Sequence, residues 1–428
     1  MTLPQWWYDE LRSLAERSRQ VVLLAALTGA VTGLAVAFYE WLLVEVLIET
    51  VLSAPIWAQA LIPAVGLALA AVILRYVGPN ATPATSDEYI KSFHDPGYSL
   101  PLRRGVARVL ASISTLGSGG ALGLEGPSIY MGATIGSLIH NRLPPKFRGN
   151  KRTLLVAGAA AGIAAIFKAP ATGAVFALES PFRDDLGRRS LLPALVAAVT
   201  GYLVFVTIED TTPLLAIEGV RGFEGKNLAA AAAVGVLAGV GARGFSAAIR
   251  FAKKYAAETN PALRVLVASS LMIASFAVVR PLTGESLTLE NGLGVIRWAL
   301  DPNLAVWLLV VVFGLRMIAT TASVAGGGVG GLFIPLVVAG ALLGRAVGGV
   351  VNSPQESLYV VVGIAAFLSA GYRVPLAAIM FVAETTGRPS FVVPGVIAAV
   401  AAELAAGQSS ITAYQRAPDY LGTTSPDR

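Results

Sequence analysis

The sequence predicts an all-α integral membrane protein whose two halves repeat one unit of broken helices. Three observations lead there. Hydrophobic residues make up 55% of the 428 and charged residues 14%, against about one quarter charged in a soluble domain. Apolar stretches at 21–39, 54–75, 190–207, 262–279 and 304–320 approach or reach the roughly 20 residues that a helix needs to cross the hydrocarbon core. Two further stretches, 154–178 and 358–383, are apolar but interrupted by Gly and Pro, one in each half. The chain has no cysteine and two histidines, His94 and His140. Disulfides, thiolate sites and multi-histidine metal sites are therefore excluded.

Taken in order, residues 1–20 carry Trp6, Trp7, Tyr8, Leu11 and Leu14 among alternating charges. Trp7, Leu11 and Leu14 share one helical face, which suits a helix lying in the membrane interface and is unlike a cleavable signal. An ordinary cytoplasmic helix before the first span fits the same residues. The first membrane repeat spans 21–207, an external loop 208–227, the second repeat 228–407 and a short tail 408–428. Arg142, Lys146, Arg148, Lys151 and Arg152 form an acid-free loop. Further basic clusters fall at Arg183, Arg188 and Arg189, and at Arg243, Arg250, Lys253 and Lys254. The positive-inside bias places these loops, and both termini, on the cytoplasmic side of a multi-pass protein in the cell membrane. Glu209, Asp210, Glu218 and Glu224 mark the external loop. Because the net charge of +6 is spread over such loops, the expected partner is the lipid bilayer and not nucleic acid.

The repeat is legible residue by residue. GLEGPSIYMGATIG (123–136) precedes GAAAGIAAIFKAPATGAVFALE (158–179), and GGLFIPLVVAGALLG (330–344) precedes GIAAFLSAGYRVPLAAIMFVAE (363–384). Pro127 leads Gly132 by five and Gly136 by nine, as Pro335 leads Gly340 and Gly344. Pro170 leads Phe176 by six and Glu179 by nine, as Pro375 leads Phe381 and Glu384. Lys168 and Arg373 also correspond. Paired Gly/Pro-interrupted segments are the trace of a duplicated transporter fold. These residues leave open whether the halves run parallel or inverted.

Proline suits the first turn of a helix, so 127–139 and 335–348 read as helices that begin inside the membrane after a glycine-rich loop. Irregular backbone at that depth must line protein or a water-filled cavity. A helix start offers free N–H groups and about half a positive charge. Two converging starts make an anion site without a buried Lys or Arg, able to hold an anion and release it. Glu125 lies two residues before Pro127, and its counterpart in the second half is Phe333. Its carboxylate either mimics the anion and gates the site, or caps the helix. Glu179 and Glu384 read as helix terminators at an inner surface. Lys168 and Arg373 sit near an aqueous vestibule, where they either draw anions or anchor a turn.

These residues resemble the CLC chloride channels and proton-coupled chloride transporters. GLEGP (123–127) is similar to the family's GxEGP motif and GGLFIP (330–335) to its GxFxP motif, and the helices after each also match, over about residues 20–405. The resemblance implies two inverted repeats and a homodimer with one pore per subunit. It also implies bound chloride with no cofactor, and voltage gating among the family's properties. Glu125 would be the external gating glutamate. Gly126 and the backbone N–H groups of Leu332, Phe333 and Ile334 would line the anion site. The family's GSGIP motif falls near ATSDE (84–88), where Thr85, with Ser86 beside it, replaces the anion-contacting serine. The N-cap of the following helix would use the same Thr85 hydroxyl.

Departures from the family pattern bear on mechanism. Ser180 stands where the proton-coupled members carry an inner glutamate. The tyrosine that contacts the central anion should fall near 408–412, and Tyr414 reaches that position only through a gap, which implies a more open inner pathway. Leu124 replaces a common arginine, and with the sequence ending at 428 the resemblance is to members without C-terminal nucleotide-binding domains. The expected function is CLC-like transport of chloride or similar small anions gated by Glu125, channel-like or weakly proton-coupled because of Ser180. Chloride is the default anion, with bromide and nitrate permeant and fluoride less expected. The alternative is chloride/proton exchange by another inner route. An intramembrane enzyme is the remote alternative, since the motifs supply Glu125 with no nucleophile, metal set or partner carboxylate.

Overall fold

A computed structural model describes residues 5–95, 97–144, 150–215, 217, 225–353 and 355–417, without the side chains of 5–18 and of Lys226. The side chains of Trp7, Leu11 and Leu14, the loop residues Lys146 and Arg148, the acidic Glu218 and Glu224, and the tail beyond 417 lie outside the described residues. Helix α1 (Gln5–Trp41) runs unbroken through residue 20. It passes into a π-helical stretch (Leu42–Ile48) and a short α2 (Glu49–Ser53). The first half continues with α3 (Ile56–Tyr76), α4 (Ser86–His94), α5 (Leu102–Gly117), α6 (Glu125–Arg142), α7 (Lys151–Phe167), α8 (Pro170–Glu179) and α9 (Leu191–Val206). The second half opens with α10 (Gly225–Glu258), α11 (Pro261–Thr283), α12 (Leu293–Ala299) and α13 (Val306–Ala325). It closes with α14 (Phe333–Val350), α15 (Glu356–Tyr372), α16 (Pro375–Thr386) and α17 (Val392–Ala406).

Among the described residues, eight helices are long and apolar enough to cross a membrane. The outward face is apolar, with Phe38, Trp57, Leu192, Leu266 and Leu404 exposed, whereas Glu125, Arg316, Arg345 and Glu179 are buried. That arrangement suits hydrocarbon outside and an internal polar route. Helices α6 and α14 each begin two residues before their proline, which stands third in the helix where no intrahelical N–H bond is needed.

Within each half the long helices cross backbone to backbone. A Cβ on Gly132 would lie 2.0 Å from the Gly158 oxygen, and one on Gly363 would lie 2.2 Å from the Gly340 oxygen. The α6–α7 and α14–α15 pairs therefore use the same glycine contact, the small-residue packing that lets helices associate in lipid. Helix α7 is buried from Leu154 to Phe167.

Helices α8 and α16 settle how the halves are related. The Glu179 carboxylate, at the end of α8, accepts the N–H groups of Leu376 (3.0 Å) and Ala377 (2.8 Å) at the start of α16. The Glu384 carboxylate, at the end of α16, accepts those of Ala171 (2.8 Å) and Thr172 (2.6 Å) at the start of α8, together with the Thr172 hydroxyl (2.6 Å). The two helices are antiparallel, so the repeats are inverted. This corrects the reading of both glutamates as inner-surface terminators, because reciprocal capping puts them at opposite ends of the pair. Glu179→Ala or Glu384→Ala orphans helix-start donors and is expected to cost about 1–3 kcal/mol. A lowered unfolding midpoint in detergent would register it.

The basic loops gather on one face around α4. Lys253 Nζ lies 2.6 Å from the Asp87 carboxylate, Lys151 donates to the Tyr98 carbonyl at 3.0 Å, and the Arg152 guanidinium lies 4.7 Å from the centre of the Phe93 ring. The far end of α7 carries the Lys168–Asp210 pair at 2.5 Å. Lys168 and Arg373 are both left-handed, at φ 53° and 58°, and close α7 and α15 respectively. Arg373 pairs with Asp184 at 2.6 Å. Both basic residues thus anchor equivalent turns on opposite faces. Hydrogen bonding from Lys168, then from Thr212, holds the Asp210 carboxyl well below the usual carboxylate range.

Candidate functional site

The glycine loops ahead of α6 and α14 meet at the centre of the protein. Gly123 and Gly331 exchange two backbone hydrogen bonds, at 2.9 and 2.6 Å, in an isolated antiparallel bridge. The bridge holds the two helix starts together. Into their junction folds the Glu125 side chain, whose Oε1 accepts the Phe333 N–H at 2.6 Å. The N–H groups of Ile334 and of Glu125 itself also address the carboxylate. Glu125 is 1% exposed, and its Oε2 has no partner among the described residues. No ion pair to a Lys or Arg compensates it among those residues. Two helix starts and their N–H groups carry that task.

Gly123 and Gly331 serve this arrangement by having no side chain. A Cβ on either would come within 1.9 and 2.0 Å, respectively, of the Glu125 carboxylate oxygens. A Cβ on Gly126 would meet the Thr85 hydroxyl at 2.6 Å. Thr85 stands at the N-cap position of α4, but its side chain makes no capping bond. Its hydroxyl faces the Gly330 carbonyl at 3.5 Å, a weak contact.

Phe333, the counterpart of Glu125, is fully buried in an aromatic cage. Its ring centre lies 4.5 Å from Phe167, 4.9 Å from Phe381, 5.3 Å from Phe176 and 6.2 Å from Tyr372. The repeat pairs Phe176 with Phe381 and Phe167 with Tyr372, so the cage is itself two-fold with one polar member. The Tyr372 hydroxyl is turned toward the Ser86 hydroxyl and the Leu332 N–H. Sequence reading passed over Tyr372. The available signal was its place in the repeat, directly before Arg373 and opposite Phe167.

Beyond Leu332 opens a vestibule of about 770 Å³ whose lining includes Thr85, Ser86, Leu332 and Tyr372, with Lys253 and Arg264 farther out. On the other side of the junction a cavity of about 40 Å³ is lined by Glu125, Phe167, Ile334 and Glu40, among others. Of the sequence-predicted residues, Glu125, Gly126, Thr85, Ser86, Leu332, Phe333 and Ile334 are thus brought to one place. Ser180 and Tyr414 are not. Ser180 is buried at the end of α8, where its carbonyl accepts the Gln415 side-chain amide at 3.0 Å. Tyr414 is 53% exposed at the vestibule mouth, 5.5 Å from the Lys91 ammonium.

The sequence matches the family model described as voltage gated chloride channel over residues 65–407. It is 27% identical to the H(+)/Cl(-) exchange transporter ClcA of Vibrio campbellii, covering 93% of this chain and 89% of that protein. It is 30% identical to a ClcB-like protein of Ralstonia nicotianae, covering 88% and 91%. In fold it is similar to a CLC-type fluoride/proton antiporter, with a TM-score of 0.81 at 20% identity over 93% of this chain and 98% of that one. A slow cyanobacterial Cl-/H+ antiporter aligns with a TM-score of 0.77 at 21% identity over 90% and 94%.

Proposed function

The chain belongs to the voltage-gated chloride channel family, and from that premise we propose that it carries chloride and similar small anions through the Glu125 junction, with Glu125 as the gate. The family is one of channels and transporters, not enzymes, and its members work without a cofactor. One observation carries the gating assignment: the Glu125 carboxylate occupies the Phe333 N–H at 2.6 Å, the donor that an anion at this junction would need. Ionised, the side chain competes with the anion for the same helix-start field. Protonated, it loses its charge and becomes a weaker acceptor, and an anion displaces it. Anions enter from the vestibule on the Lys253 face, where basic side chains concentrate them. They then pass the hydroxyls of Thr85, Ser86 and Tyr372. The basic face is the cytoplasmic one, and the exposed apolar faces of α9 and α17 form the homodimer contact.

Transport is channel-like or weakly proton-coupled in this reading, because Ser180 cannot ionise and Glu179 is engaged as a helix cap. Chloride/proton exchange is the second reading, favoured by the similarity to an exchange transporter. Reconstituted liposomes with a chloride gradient separate the two. Anion efflux with no proton movement supports the channel-like reading, and chloride-driven uphill proton movement supports exchange. No anion flux under either condition would sink the proposal itself.

Tyr372 takes the position of the anion's hydroxyl donor in this scheme. Tyr372→Phe removes one hydrogen bond to a charged ligand and is expected to weaken chloride binding about tenfold. Isothermal titration in detergent measures it, and unchanged affinity would remove Tyr372 from the pathway.

A further inference from the structure

Glu40 lies in the last turn of α1, two residues before the π-helical stretch Leu42–Ile48, an irregularity that often marks a functional position. Its Oε2 is buried with no hydrogen-bond partner among the described residues, an expensive state for a carboxylate within a span. The small cavity that Glu40 lines is the one lined by Glu125, whose own Oε2 is likewise unpartnered. At about 40 Å³ the space suits about two or three waters at roughly 15 Å³ each. Leu124, Phe167 and Ile334 wall it, while Asn291 adds a polar side chain. The charged groups that act on Glu40 are Glu45, Glu209, Asp210 and Lys168. Lys168, the cation of that set, is bonded to Asp210 at 2.5 Å, and the other three are acidic.

We propose that Glu40 is the proton relay for the gate, passing protons between the Lys168–Asp210 face and the Glu125 carboxylate through water in the shared cavity. The proton balance is simple. Glu40 takes a proton from solution, one water accepts it while another water's proton reaches Glu125 Oε2, and Glu40 returns to carboxylate. The inference rests on the reading of Glu125 as a protonatable gate. It adds that protons reach the gate by way of a second carboxyl that lines the same cavity.

The test is an acid jump on the Lys168–Asp210 face of the full-length protein in a planar bilayer, with the rise of chloride current followed in time. Glu40→Gln is expected to slow that rise by about 100-fold, the low end of what a positioned proton donor contributes, with steady-state current at low pH retained. Glu40→Asp, which keeps a titrating group, restores most of the rate. In a Glu125→Gln background the Glu40→Gln change has no further effect. A wild-type rise in Glu40→Gln, a shifted pH midpoint with an unchanged rate, or a slowing that persists without Glu125 would each overturn the relay. Failure of the gate itself has a different signature, since Glu125→Gln alone would then keep the wild-type response to the acid jump.

Discussion

Glu125→Gln is expected to abolish the pH dependence of anion flux while leaving flux itself high. In the native protein the carboxylate holds the Phe333 N–H at 2.6 Å, and under the proposed gating its protonated fraction sets how often the junction is vacated. A single titrating group changes that fraction by up to about tenfold per pH unit, so native flux should rise by up to that factor on acidification while the Gln variant stays flat. The neutral amide fills the same space but brings no charge to compete with chloride. Flux from liposomes at a series of external pH values measures the effect. A variant that retains the native pH profile would remove Glu125 from the gate, whatever its transport rate.

Gly363→Val is expected to destabilise the fold severely, by forcing apart two helices that touch backbone to backbone. The first side-chain carbon alone would lie 2.2 Å from the Gly340 oxygen, so α14 and α15 would have to separate along their crossing. Overpacking a tight contact costs about 1–3 kcal/mol and occasionally more; against a backbone oxygen the upper end applies. The separation would also displace Phe333 at the start of α14 and Tyr372 at the end of α15, both of which belong to the site. Loss of the monodisperse peak in size-exclusion chromatography is the expected observation. Gly158→Val, the counterpart facing Gly132 at 1.9 Å, should behave alike.

Much of the fold was legible because backbone geometry restricts residue type. Proline is tolerated in the first helical turn, and glycine is required where helices touch backbone to backbone. Both requirements recur at identical spacings in the two halves, and the repeat could be read from them. The meeting of the two helix starts at Glu125 was legible for the same reason, since Gly123, Glu125 and Gly331 sit in the two glycine loops. Tyr372 was less visible. Its hydroxyl comes to Ser86 and Leu332 from the end of a different helix, far from both in sequence, and only the fold brings them together. Glu384 was misplaced because a helix end carries no mark of membrane depth. Its partners, Ala171 and Thr172, belong to the opposite half, and the antiparallel pairing that joins them follows from the inversion. Glu40 resembled any carboxylate near a helix end until the cavity beside Glu125 singled it out.

The reciprocal caps bear on how the chain is made. Neither half supplies the carboxylate that finishes its own inner helix start. The N–H groups of Ala171 and Thr172 enter the bilayer during synthesis and have no Glu384 to meet until nearly all of the second half has been translated. The first half must therefore pass through the insertion machinery as an incomplete object, holding α8 against water, lipid headgroups or a chaperone. Its final fold closes only when the last repeat arrives to complete it. For the same reason, separately expressed halves should persist only when produced together, each acting as the other's assembly factor.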